Sequence, residues 1–67
     1  MEGKWTKVFS SSDGFRIEML KGLLAEHHIE GVVINKKDSA YLIGEVELFV
    51  RVEDAFRANQ IISNSIS

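Results

Sequence analysis

Hydrophobic and polar positions along this chain change period repeatedly, and each change marks an element. Trp5-Thr6-Lys7-Val8-Phe9-Ser10 is rich in β-branched and aromatic residues and predicts a strand. Ser11-Ser12-Asp13-Gly14 ends it, with Asp13 placed to cap a helix and Ser12 as the second choice. From Gly14 to His27 the apolar residues recur at helical spacing. Ile17, Leu20 and Leu24, with Met19 and Leu23 one position round, form an inward stripe, while Arg16, Glu18, Lys21 and Glu26 take the outer side. Gly22 sits mid-helix at a cost of about 1 kcal/mol relative to alanine. Either a neighbouring backbone approaches there or the helix simply tolerates it. His28 takes the terminal position more often given to glycine or asparagine, and Ile29 folds back onto the helix.

Gly31-Val32-Val33-Ile34-Asn35 is a short apolar run and predicts a covered strand. Glu45 to Arg51 alternates cleanly, with Val46, Leu48 and Val50 on one face and Glu45, Glu47, Phe49 and Arg51 on the other, as in a half-buried antiparallel strand. A last helix starts near Glu53, with Ala55, Ala58, Ile61 and Ile62 inward and Glu53 and Asp54 at its positive end. The tail from Ser63 to Ser67 is expected to fray. The order strand, helix, strand, strand, helix predicts an α+β fold of the ferredoxin-like β-α-β-β-α type. Its three-stranded sheet has the third strand in the middle, both helices on one face and a right-handed first crossover. Two surfaces are then left unfinished: the outer edge of the first strand and the sheet face away from the helices.

Composition narrows the class. At 67 residues and 7.6 kDa this is one small domain, 1–67, with an ordered core of about 4–62. A chain this short buries only about 60% of its unfolded surface. It has no cysteine, hence no disulfide or thiolate zinc site to brace it, which favours self-association. A net charge of −2 argues against nucleic acid and anionic membrane as default partners. No apolar run reaches the ~18 residues of a membrane span, and Met1-Glu2-Gly3-Lys4 leads into no signal peptide, so a soluble cytoplasmic protein is expected.

Three stretches together carry a resemblance: Ser10-Ser11-Ser12-Asp13, Val33-Ile34-Asn35-Lys36-Lys37-Asp38-Ser39 with Tyr41, and Gly44-Glu45-Val46-Glu47-Leu48-Phe49-Val50. They resemble the small prokaryotic family labelled "putative signal transducing protein", from Trp5 to about Ile62, with Asn-Lys-Lys-Asp-Ser the most specific part. The resemblance implies a compact ferredoxin-like unit, similar at fold level to the nitrogen-regulatory signal proteins, and leaves the biological role uncharacterised. Where that family commonly carries proline, after the capping aspartate and at the start of the last helix, this chain has Gly14 and Val52.

Candidate chemistry is sparse. His27 and His28 are adjacent and point about 100° apart on a helix, which does not suit chelation of one ion; closing the helix end is the simpler role. No nucleophile–base–orienter set is recognisable, so no catalytic residue, cofactor or metal is assigned. The serines before Asp13 cap rather than bind. The connection from Asn35 to Gly44 is long for a hairpin, where 2–5 residues are usual. Asn35, Lys36, Lys37, Asp38, Ser39 and Tyr41 would grip a phosphate or carboxylate there, or simply build local turns over the end of the core. A second candidate is the open sheet face. If Val8 points to the helices, then Trp5, Lys7, Phe9, Glu47 and Phe49 share that face as an interaction surface. A bulge that shifts the register would instead bring Trp5 and Phe9 inward.

The expected function is a non-catalytic regulatory or interaction domain, partnered by itself as a homodimer or by an unidentified protein. The alternatives are a sensor of a small anionic ligand using Asn35–Tyr41, and a single-stranded nucleic-acid binder on the open face, which Glu45 and Glu47 disfavour.

Overall fold

The computed structural model describes residues 3–36 and 44–66, the side chain of Ile66 excepted. The elements are β1 (Trp5–Ser11), α1 (Gly14–Glu26), β2 (Gly31–Asn35), β3 (Val46–Arg51), a 3-10 turn (Val52–Asp54) and α2 (Ala55–Ile66). The sheet order is β1-β3-β2, with β3 antiparallel to both neighbours. This is the predicted α+β, ferredoxin-like β-α-β-β-α arrangement. No helix among the described residues is long and apolar enough to cross a membrane.

The core lies between one sheet face and the helices. Val46, Leu48 and Val50 project into it from β3, meeting Ile17, Leu20 and Leu24 of α1 and Ala58 and Ile62 of α2. Each of these side chains is excluded from water, so their summed apolar burial is the main term holding helices to sheet. Met19 is the exception to the predicted inward stripe. It is 60% exposed, as Phe15 is 73% exposed one turn earlier. Ile17, Leu20 and Leu24 already fill the line of contact, and a helix on a flat sheet buries one narrow stripe rather than two.

Both ends of α1 are closed as the sequence suggests. The Asp13 carboxylate accepts from the backbone N–H of Phe15 at 3.0 Å and of Arg16 at 3.4 Å, and Ser11 Oγ accepts from the Asp13 N–H at 3.0 Å. At the other end His28 has φ 63°, the N–H of His28 donates to Ala25 O, and that of Ile29 donates to Leu24 O. Those two bonds with an αL residue between them are a Schellman closure, and buried Ile29 against buried Leu24 is the apolar contact that accompanies it.

Two details at the last helix differ from expectation. The segment from Val52 to Asp54 is a single 3-10 turn before α2 begins at Ala55, and α2 continues to Ile66 instead of fraying from Ser63. Ser65, in that final turn, borders a cleft together with Met19 and Leu20 of α1.

The question left open at Gly22 is resolved by space. A Cβ there would meet nothing within 4 Å, whereas one on Gly31 would lie 3.1 Å from Leu48 Cδ1 and 3.4 Å from Lys21 Cγ. Close approach of helix and strand therefore occurs at Gly31, and Gly22 is merely tolerated. Gly22→Ala should stabilise the domain by about 1 kcal/mol. For a domain of this size that is a rise in melting temperature of roughly 4–8 °C, measurable by calorimetry. A fall would show that Gly22 is needed for packing.

Candidate functional site

The open face of the sheet is built by parity on β3. Because Val46, Leu48 and Val50 face the helices, Glu47, Phe49 and Arg51 must face away. Residues directly opposite one another in an antiparallel pair share a face, so register assigns the rest. From β1, Trp5 lies opposite Arg51, Lys7 opposite Phe49 and Ser10 opposite Glu47. From β2, Val32 lies opposite Phe49 and Ile34 opposite Glu47.

Between Lys7 and Phe9 the register shifts, and Val8 is the extra residue. Past this bulge Phe9 lies opposite Leu48, on the helix side, and both Val8 and Phe9 pack against the core. Phe9 is therefore corrected from the open face to the core, because the inserted residue reverses its parity. Trp5, before the bulge, keeps the open face. The two expectations for β1 each hold for one of its aromatics.

The polar groups on this face are paired across strands. Glu47, its side chain only 13% exposed, takes Lys7 Nζ on Oε2 and Lys36 Nζ on Oε1, each at 3.3 Å. One carboxylate of the central strand thus ties together a cation of β1 and the cation that directly follows β2. Partial removal from water pushes the Glu47 pKa upward, and the hydrogen bonds and charges of Lys36 and Lys7 outweigh that, holding it below the ordinary carboxylate value. At the other end of the face Arg51 Nη2 meets Glu30 Oε1 at 2.8 Å, while the same guanidinium stacks over the Trp5 ring, 4.9 Å from its centroid. Between these two clusters lie the half-buried side chains of Phe49, Val32 and Ile34.

Of the residues expected on this face, Trp5, Lys7, Glu47 and Phe49 are there, joined by Lys36 from the loop set. Asn35, opposite Val46, ends β2 on the helix side. Lys37, Asp38, Ser39 and Tyr41 lie outside the described residues. Val32 and Ile34 escaped sequence reading because an unbroken apolar run hides its own parity; only the pairing with β3 reveals it. Along the seam of α1 and α2, a cleft of about 410 Å³ is lined by Asp13, Phe15, Arg16, Met19, Leu20 and Ser65. His27 and His28 are exposed at the closing turn of α1, where the His27 carbonyl accepts from Arg57 at 3.4 Å.

Comparison with known proteins gives one family. The model described as "Putative prokaryotic signal transducing protein" matches residues 5–66. No curated protein and no solved structure matches the chain significantly.

The Glu47 cluster makes a pH prediction. A carboxyl whose pKa is depressed on folding contributes stability that is present above its unfolded value of about 4.3 and is lost as pH falls through the folded value. The stability difference between wild type and Glu47→Gln in urea unfolding should therefore be largest at neutral pH and shrink towards pH ~3. A gap that stays constant with pH contradicts the ion-pair account.

Proposed function

The chain belongs to the family described as "Putative prokaryotic signal transducing protein", and from that premise we propose that it is a non-catalytic, cytoplasmic regulatory domain that works by docking through its open sheet face. The observation that carries this reading is the state of that face: Trp5, Phe49, Val32 and Ile34 lie on it with no helix layer above them among the described residues, while Lys7, Lys36, Glu47, Arg51 and Glu30 are already held in ion pairs. A surface of this kind loses few polar contacts and little side-chain entropy when another surface covers it, because its ionic groups are ordered beforehand.

The other readings have less support. Of the candidate anion-binding loop, Lys36 is committed to Glu47. A single-stranded nucleic acid would stack on Trp5 and Phe49, but its phosphates would meet lysines that Glu47 already neutralises.

A photo-crosslinking residue placed at Val32 should yield a protein adduct in cells, while the same residue at Phe56, an exposed helix position, should yield none. Equal labelling from both positions, no adduct at all, or an adduct removed by nuclease would overturn this reading.

A further inference from the structure

The charges on the open face have a definite layout. Register continues one step beyond β3, where the Lys36 N–H donates to Glu45 O at 3.0 Å, setting Lys36 opposite Glu45 on the open side. Among the described residues, the face therefore carries three cations, Lys7, Lys36 and Arg51, and three anions, Glu30, Glu45 and Glu47. It is neutral, and the chain's net charge of −2 resides elsewhere. Two copies meeting through this face would bring no net charge together.

The layout is also self-complementary. Resting on the proposed docking role of this face, we propose that its occupant is a second copy of the chain, packed face to face about a two-fold axis that runs across the strands between the Glu47 and Phe49 positions. Such an axis reverses strand direction in the second copy and keeps β3 over β3. Arg51 then meets Glu45 of the second copy, Glu30 meets Lys36 of the second copy, and Val32 meets Ile34 of the second copy. Phe49 lies over the other copy's Lys7–Glu47–Lys36 cluster, where two ammonium groups face the ring and the carboxylate is already compensated. Every contact occurs twice, as an isologous interface requires. Packed sheets keep their strands within about 30° of one another, which this arrangement allows.

Area sets the strength. From Glu45 to Arg51 across three strands, the face measures about 23 Å by about 14 Å, roughly 330 Å² in plan. A stable interface takes about 800 Å² from each partner. The association is therefore at the weak, exchangeable end of protein interfaces.

Sedimentation equilibrium of the full chain from about 10 µM to about 2 mM tests this directly. The wild type should pass from monomer to dimer within this range. Glu45→Arg reverses a charge that counts twice and should weaken dimerisation at least about tenfold, whereas Glu26→Arg, on the exposed side of α1, should leave it within about threefold. Glu45 is exposed and precedes β3, so the variant retains its fold, as far-UV circular dichroism would verify. A wild type that stays monomeric, or equal responses to the two charge reversals, overturns the proposal. Should the wild type be monomeric while Val32 still crosslinks to a foreign protein, the second copy is excluded and the docking role stands. Absence of both removes the docking role as well.

Discussion

Everything in this domain hangs on β3 being two-faced. Val46, Leu48 and Val50 give the helices something to cover, and the same alternation obliges Glu47, Phe49 and Arg51 to face the other way. As the central strand, β3 dictates by register which residues of β1 and β2 join each face. One run of six residues thus decides both where the core is and what the exposed sheet presents. A one-residue slip would exchange the two faces entirely.

The bulge at Val8 is the single local departure from that logic, and it serves both sides. Upstream, Trp5 and Lys7 stay on the open face, where they stack on Arg51 and pair with Glu47. Downstream, Phe9 turns inward against Leu48 and enlarges a core that a chain of 67 residues could not otherwise fill easily. Ser11 ends β1 and its hydroxyl accepts from the N–H of Asp13, the cap of α1. The strand irregularity and the inward turn of Phe9 both follow from one extra residue.

Much of the architecture was legible because local signals agreed. Asp13, the clean alternation of β3, and His28 before Ile29 each name a structure by a mechanism that acts within a few residues. The illegible parts were those set by neighbours. No residue in Trp5-Thr6-Lys7-Val8-Phe9 announces a bulge, since all are good strand formers, and only the pairing with β3 forces Phe9 inward. Val32 and Ile34 were concealed within an apolar run. Met19 looked like core because helical spacing cannot say how wide a stripe the opposing sheet will accept. The candidate site was accordingly read in part: Lys7, Glu47, Phe49 and Arg51 from alternation, Lys36 as a loop cation whose actual partner is Glu47, and the pairing of Arg51 with Glu30 not at all.

The chain's ordered polar network lies on the face away from its core. The central claim is that the bulge separates the two aromatics of β1, leaving the only tryptophan outside. Acrylamide quenching of Trp5 emission in dilute protein tests it most directly. A red-shifted spectrum with ready quenching is the predicted result. A blue-shifted spectrum resistant to quencher at every dilution would place Trp5 in the core with Phe9 and contradict the open face as described.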